Sequence, residues 1–269
     1  MSDFDPGYVA EPYLSLCREY ENGQYPPDAF RVEWGPIFHR GRLDGSARVL
    51  IIGQDPAAQE AMARRILVGT AGHRVQGFLN KLGISKSYVM LNAFAFSVLN
   101  QGGGEHNKNN AAIVAYRNRW FDAVFAPGKV QAAVAFGALA HHAWDQWLAT
   151  ANGHAHKGLP FQAVRHPTSP ESSAASQHTD VKAATKAMLA QWNTALTALR
   201  QSSITVDEPA TAALYGEAFE DADLPPIPRF DLPAGLPEWM CGADGWAKRT
   251  GATPDEKRRT LTVVIPPNA

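Results

Sequence analysis

The chain has only two cysteines, Cys17 and Cys241, near opposite ends of its 269 residues. Two thiols cannot supply the four thiolates of a structural zinc site or of an iron-sulfur cluster. A single long-range disulfide is unusual in a reducing cytosol, so we interpret both residues as ordinary small side chains. The cysteine content therefore predicts no cluster and no cysteine-bound metal.

Long hydrophobic runs are also missing, since no stretch approaches the roughly 18 to 20 unbroken apolar residues of a membrane span. The chain begins Met-Ser-Asp-Phe-Asp, which is acidic and unlike a signal peptide. We therefore expect a cytoplasmic protein without a membrane partner. With 45% hydrophobic and 19% charged residues, the chain is long enough for one large globular domain or two small ones.

The chain has little net charge, −1 at pH 7, which argues against a polyanionic partner such as DNA. That value averages three unlike segments. Residues 40–200 hold 17 Lys and Arg against 8 Asp and Glu, residues 1–39 hold 2 against 7, and residues 201–269 hold 6 against 11. The positive excess of the middle segment suits a polyanion, because clustered cations displace phosphate counterions. A scattered, solvated surface explains the composition equally well.

Charge and proline content predict three parts: an acidic N-terminal extension (1–39), an α/β domain (40–200) and a Pro-rich acidic C-terminal extension (201–269). The last segment holds nine prolines, which block long helices. It also holds apolar residues, such as Trp239 and Trp246, that are suited to docking on a surface. We expect both extensions to pack on the central domain, with the C-terminal one wrapping around it.

The middle segment alternates between strand and helix patterns. Four continuous apolar runs, typical of strands buried on both faces, occupy residues 48–52, 88–91, 130–136 and 161–165. Apolar residues at helical spacing occupy residues 76–82, 110–125, 138–148 and 181–199. This alternation predicts an α/β fold with three layers, α/β/α, around a central, mostly parallel four-stranded sheet.

Polar residues follow three of these strands, at the carboxyl ends where open parallel sheets bind ligands. Asp55 follows the first strand, Asn92 the second and His166 the last. Taken singly, Asp55 can start a turn, Asn92 can cap the next element and His166 can be an ordinary loop histidine. Their joint position at one edge of the sheet favours a binding or catalytic site.

The spacing of residues argues against several other kinds of site. No glycine pattern matches a dinucleotide fingerprint, and no Walker lysine follows the glycines. His141 and His142 are adjacent, so on a helix they point in different directions and make a poor metal pair. No nucleophile elbow surrounds Ser169. Neither a metal-dependent enzyme nor an acyl transferase is predicted.

These strand ends resemble the motifs of the uracil-DNA glycosylase superfamily. Residues 49–56, Val-Leu-Ile-Ile-Gly-Gln-Asp-Pro, are similar to its first motif, and residues 166–170, His-Pro-Thr-Ser-Pro, to its second. Residues 68–72, Val-Gly-Thr-Ala-Gly, are similar to a segment of the iron-sulfur and related branches. Asn92 falls where the family keeps its base-reading asparagine. The resemblance covers residues 45 to 200, and the order and spacing of the motifs make it specific.

The resemblance implies a monofunctional glycosylase of base excision repair that needs no cofactor or metal. Such an enzyme flips uracil out of DNA and hydrolyses its N-glycosidic bond, leaving an abasic site. Asp55 is then the catalytic carboxylate that stabilises the cationic sugar and orients the attacking water. His166 is the catalytic donor to uracil O2, where negative charge grows, helped by backbone amides near Gln54.

The resemblance also implies which residues bind the base and the DNA. The uracil-binding residues are Gly53, Gln54, Asn92, which reads the N3 and O4 edge, and Leu67. The DNA-binding residues are Arg64, Arg65, Thr168, Ser169, Pro170, Ser172 and Lys182. Residues 169–173 are expected to form a loop that enters the duplex, and Arg64, Arg65, Lys182 and Lys186 to contact phosphates.

The sequence departs from the family pattern near the first motif and before the Val-Gly pair, which indicates an atypical branch, and its two cysteines are too few for the cluster of the iron-sulfur branches. Ala57 and Ala58 follow the Asp-Pro pair, where the classical branch has Tyr-His and the tyrosine excludes thymine. Leu67 stands where other branches carry an aromatic that stacks on uracil. Two alternatives stay open: a glycosylase of broader specificity, for hypoxanthine, xanthine or mismatched thymine, and a non-catalytic nucleic-acid binding module on the same fold.

We expect a monomer whose extensions replace the structural role of the cluster. Because both extensions are acidic, we expect them either to pack away from the DNA or to compete with it.

Overall fold

The computed structural model describes residues 4–20, 25–99, 101–210, 213–242 and 245–267. In this part of the chain the central element is a five-stranded sheet in the order β1-β3-β2-β4-β5. The strands are β1 (His39–Gly41), β2 (Val49–Gly53), β3 (Tyr88–Asn92), β4 (Ala132–Phe136) and β5 (Phe161–Val164). Strands β2 to β5 run parallel, and β1 pairs antiparallel with β3.

The predicted α/β class is confirmed, and the four predicted strands correspond to β2 to β5. The strand number is wrong by one, because β1 adds an antiparallel edge. Its three residues, His39, Arg40 and Gly41, contain no apolar run, so the pattern of a buried strand is missing from the sequence. Arg40 is nevertheless fully buried.

Helices cover both faces of the sheet. The α-helices of the described chain are α1 (Tyr13–Arg18), α2 (Ala58–Ala63), α3 (Thr70–Leu82), α4 (Gln101–Asn107), α5 (Ala111–Phe125), α6 (Ala138–Leu148), α7 (Ala151–His154), α8 (Ser169–Gln177), α9 (Val181–Gln201) and α10 (Pro254–Arg259). Successive side chains of a strand point to opposite faces. Ile51 therefore packs with α3 and α9, whereas Leu50 and Ile52 pack with α1, α5 and α6. The predicted three-layer arrangement is confirmed.

The described parts of both terminal segments pack on this framework. Tyr13 and Leu16 of α1 join the core that contains Trp120 of α5. Beyond α9 the chain runs through short 3-10 turns and then forms an antiparallel hairpin of β6 (Ala247–Arg249) and β7 (Leu261–Val263), with α10 between the two strands. Neither the hairpin nor α10 is predicted by the sequence pattern.

Acidic residues of segment 201–242 pair with basic residues near the sheet. Asp223 Oδ1 lies 2.7 Å from Lys81 Nζ. The other pairs join Asp207 to Arg48, Asp231 to Arg40 and Arg42, and Glu217 to Lys186. Many of the basic residues of segment 40–200 that exceed its acidic residues in number are therefore paired with carboxylates of the C-terminal segment. Over the described ranges, no helix has the length and apolar character needed to cross a membrane.

Candidate active site

Asp55 lies in the turn that follows β2, at the carboxyl edge of the sheet. The backbone N–H of Val98 donates a hydrogen bond to its Oδ2 atom at 3.0 Å. Burial raises the pKa of Asp55 to about 7, against the Val98 hydrogen bond and the cations Arg31 and Arg249, which act to lower it. A carboxyl group that titrates near neutral pH is suited to catalysis.

Asn92 ends β3 directly beside Gly53, which ends β2. Its side chain is buried, and its Oδ1 atom has no hydrogen-bond partner among the described residues. A Cβ atom at position 53 would lie 2.2 Å from that oxygen, so glycine is needed there. A buried acceptor without a partner is costly unless a ligand satisfies it. The geometry therefore presents Asn92 Oδ1 as a ready acceptor for a ligand N–H.

Leu67 lies on the other side of Gly53, with its Cδ1 atom 3.6 Å from the position of a Gly53 Cβ. Its φ angle of 53° is in the left-handed region, which a leucine rarely adopts. Such conformations persist where the surroundings hold them and cluster at functional sites. Gly72 supplies part of that support, because a Cβ there would lie 1.7 Å from the Leu67 carbonyl oxygen.

Gln54 connects the first motif to the two neighbouring strands. Its carbonyl oxygen accepts a hydrogen bond from the Phe94 N–H at 2.9 Å, and the Gly53 carbonyl accepts one from Ala93. Its side chain packs on Gly137, where a Cβ would lie 2.9 Å from the Gln54 Cδ atom. The structure thus brings all four predicted uracil-binding residues to one edge of the sheet.

His166 follows β5 on the same edge and is half-buried. The Thr168 N–H donates to its Nδ1 atom at 3.3 Å, so Nδ1 is the acceptor and a neutral ring carries its proton on Nε2. Burial, together with the cation Arg74, lowers the pKa of His166 to about 4. At neutral pH the ring is therefore an uncharged donor through Nε2.

Arg74 of α3 holds the second motif in place. Its guanidinium donates to the Pro167 carbonyl oxygen at 2.6 Å and pairs with Glu171 at 2.6 Å. Arg74 is not among the predicted site residues, because its partners lie more than 90 residues away along the chain and no local sequence pattern connects them.

Two further buried charged residues that sequence reasoning missed support the Asp55 turn. Arg31 donates to the Leu99 carbonyl at 3.2 Å and also to that of Val98, whose N–H holds Asp55. Glu60 of α2 accepts from the Ala57 N–H at 3.1 Å. Burial raises the pKa of Glu60, while hydrogen bonds from backbone N–H groups, including that of Gly69, act to lower it. Glu60 therefore connects the first motif to the Val-Gly segment.

The predicted DNA-binding residues fall into two groups. Ser169 and Pro170 line an open groove between α8 and α9, together with Arg165, which directly precedes His166. Thr168 caps α8, Ser172 lies in its first turns and Lys182 lies in the first turn of α9. The expectation that residues 169–173 form a loop is wrong. Helix α8 begins at Ser169 and has Pro170 in its first turn, where the missing N–H of proline costs no helical hydrogen bond.

The arginines Arg64 and Arg65 lie elsewhere, after α2. Arg64 donates to the Trp34 carbonyl at 2.7 Å and to the Pro36 carbonyl at 2.6 Å. Arg65 is 4% exposed, and its Nε atom is 2.6 Å from Asp5 Oδ2. A buried ion pair with the N-terminal segment does not suit Arg65 to a phosphate contact. Lys186, for its part, pairs with Glu217.

A metal site would need several His, Cys, Asp or Glu side chains in one place. In the described ranges of the chain, no three such side chains come together in that way. Both cysteines are free thiols, with Cys241 buried and Cys17 half-buried.

Comparison with known families matches residues 40–197 to the model of the uracil DNA glycosylase superfamily. The matched range is more than half of the chain and contains β2 to β5 together with Asp55, Asn92 and His166. Comparison with curated proteins gives no match. On the family match, the chain belongs to the uracil DNA glycosylase superfamily.

Proposed function

We propose that the protein is a monofunctional uracil-DNA glycosylase, which flips uracil out of DNA and hydrolyses its N-glycosidic bond. The observation that carries the uracil assignment is the buried Oδ1 atom of Asn92, which lacks a described partner and lies against Gly53. In this proposal residues 40–200 form the catalytic domain and residues 1–39 and 201–269 are extensions. The enzyme acts as a monomer in the cytoplasm, without metal or cofactor.

Base selection follows from the chemistry of the Asn92 amide. Uracil presents an N3–H donor and an O4 acceptor, which match the Oδ1 acceptor and the Nδ2 donor of Asn92. Cytosine presents the reverse pattern and would leave buried polar groups unpaired. Sites built on such hydrogen bonds reject the mismatched ligand strongly. Gly53, Gln54 and Leu67 line the same pocket in this proposal.

Bond cleavage separates charge, and the two catalytic residues stabilise its two ends. The bond between sugar C1′ and uracil N1 breaks, its electron pair leaves with the base, and the sugar becomes an oxocarbenium-like cation. Ionised Asp55 stabilises this cation and orients the water whose oxygen bonds to C1′; the proton of that water passes to the carboxylate and then to solvent. Neutral His166 donates its Nε2–H to O2 of the uracil anion.

The groove between α8 and α9 is proposed to bind the DNA backbone beside the flipped base. Ser169 and Ser172, near the start of α8, and the exposed Lys182 of α9 present hydroxyl and ammonium donors of the kind that bind phosphate oxygens. Thr168 and Pro170 shape the turn into α8. Arg64 keeps an exposed position, whereas the buried pairing of Arg65 removes it from the proposed contacts.

A glycosylase of broader specificity is the second candidate. Ala57, which follows the Asp-Pro pair, is exposed and small, and Leu67 is aliphatic, so neither residue supplies an aromatic ring to exclude or stack on a base. Neither position therefore supplies an aromatic steric filter against larger bases.

Base release from oligonucleotides tests the proposal. The substrates carry uracil in single-stranded, U:G and U:A contexts, with matched oligonucleotides carrying hypoxanthine, xanthine or mismatched thymine. Release of uracil by the native protein, and not by Asp55→Asn, is the expected result. Comparable release of the other bases would favour the broader enzyme. Binding to DNA without release of any base would favour a non-catalytic module and overturn the proposal.

A further inference from the structure

Residues 245–267, which contain β6, α10 and β7, form a unit that we name the C-terminal hairpin. It is anchored on the segment that follows the first motif. Trp246 is 1% exposed and packs with Ala63 of α2 and with Val68, which precedes Gly69. Within the hairpin, the Val264 N–H donates to the Trp246 carbonyl at 2.7 Å. The hairpin is therefore a packed part of the structure.

The other end of the hairpin reaches the segment that supports Asp55. Arg258 donates to the Pro27 carbonyl, and its Nε atom is 3.5 Å from a carboxylate oxygen of Glu33. Between those two contacts lies Arg31, which donates to the Val98 carbonyl. Val98 in turn donates its N–H to Asp55. The hairpin thus spans from α2 to the 27–33 segment, beside the catalytic turn.

The charge of the hairpin is opposite to that of the chain before it. Residues 245–267 hold five Lys and Arg against two Asp and Glu, whereas residues 201–242 hold one against eight. Carboxylates of the acidic part pair with basic residues near the sheet. In the hairpin, Lys248, Arg249 and Lys257 are exposed, and none of them forms a salt bridge with a described residue. The Glu256 carboxylate is occupied with the N–H groups of Ala252 and Thr253.

We propose that the C-terminal hairpin is part of the DNA-binding surface, where Lys248, Arg249 and Lys257 contact backbone phosphates next to the flipped nucleotide. This inference rests on the proposed function for the kind of partner. Arg249 acts electrostatically on Asp55, and together with Lys248 and Lys257, which have no salt-bridge partner among the described residues, it attracts a phosphate chain that Asp55 alone would repel. A segment that competed with DNA for the site would instead need negative charge here. Acidic residues of segment 201–242 form ion pairs within the protein, whereas the basic residues of the hairpin face solvent.

Charge neutralisation tests the hairpin. The variant Lys248→Gln/Arg249→Gln/Lys257→Gln removes the three cations. The matched control is Lys86→Gln/Lys129→Gln/Lys157→Gln, which removes the same charge from exposed lysines that precede β3, β4 and β5, at the opposite edge of the sheet. The affinity for a fluorescent duplex that carries an abasic-site analogue is measured over a range of salt concentrations for both variants and the native protein.

The hairpin variant is expected to bind at least about tenfold more weakly at low salt, with a salt slope shallower by about two to three units, since each lost phosphate contact removes about 0.9. The control is expected to keep the native slope. Equal losses in both variants, or native or tighter binding by the hairpin variant, would overturn the proposal. Thermal unfolding of each variant checks that the fold is retained.

The same experiment distinguishes failure of the hairpin proposal from failure of the proposed function. If the native protein binds the duplex but releases no uracil, the proposed catalysis fails while the comparison of salt slopes still decides the hairpin. If uracil is released and the slopes of both variants equal that of the native protein, only the hairpin proposal fails.

Discussion

Asn92 Oδ1 lies so close to Gly53 that any side chain at position 53 would have its Cβ 2.2 Å from that oxygen. The two residues pair at the ends of adjacent parallel strands, β2 and β3. The glycine of the first motif therefore has a steric role that its flexibility does not explain: it leaves room for the Asn92 amide, which is proposed to read the base.

Gly53→Ala is expected to displace the Asn92 side chain and weaken uracil recognition. Loss of a buried hydrogen bond between Asn92 and the base costs about 1 to 3 kcal/mol, which corresponds to a loss of kcat/KM on uracil DNA of about 5- to 150-fold. The matched control is Gly158→Ala, since nothing lies within 4 Å of a Cβ at that position. Base-release kinetics on both variants measure the effect. A Gly53→Ala enzyme with native kcat/KM would contradict the proposed role of this contact.

The raised pKa of Asp55 predicts that activity increases with pH. Only the ionised carboxylate stabilises the sugar cation, and burial places its pKa at about 7. We therefore expect kcat/KM for base release to rise about tenfold per pH unit below pH 7 and to level off above it. Asp55→Asn should lower the plateau rate above pH 7 at least about 100-fold and make the rate independent of pH, because the amide does not ionise. A pH profile that is flat between pH 5 and 8 would contradict this assignment.

The raised pKa of Asp55 also predicts that stability depends on pH in the direction opposite to activity: activity rises with pH, whereas stability falls. Its pKa is higher in the folded protein than in the unfolded chain, so the folded state binds the proton more tightly. Stability from this group is therefore present at low pH and is lost as the pH rises between about 4 and 7. Asp55→Asn should raise Tm relative to the native protein at pH 8 and much less at pH 4. A loss of stability at pH 8 would show that the carboxylate is favourably paired.

The lowered pKa of His166 predicts that its contribution to stability increases with pH, the reverse of the contribution of Asp55. Its pKa of about 4 lies below its ordinary value, so the folded state prefers the neutral ring. Stability from this group is complete above about pH 6.5 and decreases as the pH falls toward 4. Relative to the native protein, His166→Gln should therefore be more stable at pH 5 than at pH 7.5. Thermal unfolding at the two pH values measures the difference, and an unchanged difference would exclude a buried neutral histidine.

The sequence predicted the parallel strands because each is a continuous apolar run, and it predicted the site because Asp55, Asn92 and His166 each follow one. The antiparallel strand β1 was not predicted, because its buried residues include the charged Arg40. Arg40 forms an ion pair with Asp231, which comes from a distant part of the chain. The C-terminal hairpin was not predicted, because its strands have three residues each, too few for a periodic pattern.

The supporting residues of the site were missed for a related reason. Arg31, Glu60 and Arg74 are polar residues whose partners are backbone groups, mostly distant in sequence. Side-chain pattern alone carries no information about which carbonyl an arginine will reach. The residues proposed to do the chemistry were therefore predictable from motifs, and those that hold them in place were not.

Arg74 is expected to act as a positioning residue for the second motif. Arg74→Met keeps the length of the side chain but removes the hydrogen bond to the Pro167 carbonyl, so His166 should lose its fixed position. A displacement of about 1 Å can cost about 100-fold in rate, and we expect kcat to fall by about 10- to 100-fold with KM little changed. Glu171→Gln is the control, because it weakens only the ion pair on α8. Equal losses in the two variants would assign the effect to the ion pair.

Asp231 provides a test of the C-terminal extension as a structural element. Its carboxylate is fully buried, lies 3.6 Å from Arg40 and 3.2 Å from Arg42, and accepts a hydrogen bond from the Tyr88 hydroxyl. Asp231→Ala leaves the buried Arg40 without its carboxylate partner. Removal of one member of a buried pair costs about 3 to 5 kcal/mol of unfolding free energy.

The matched control for Asp231→Ala is Glu238→Ala, which breaks an exposed pair with Arg229 in the same extension. Exposed pairs contribute about 0 to 1 kcal/mol. Urea unfolding of both variants is expected to show a large loss of stability for Asp231→Ala and little change for Glu238→Ala. Similar small changes in both would mean that the extension adds no stability through this pair, and that Arg40 finds other partners or water when Asp231 is removed.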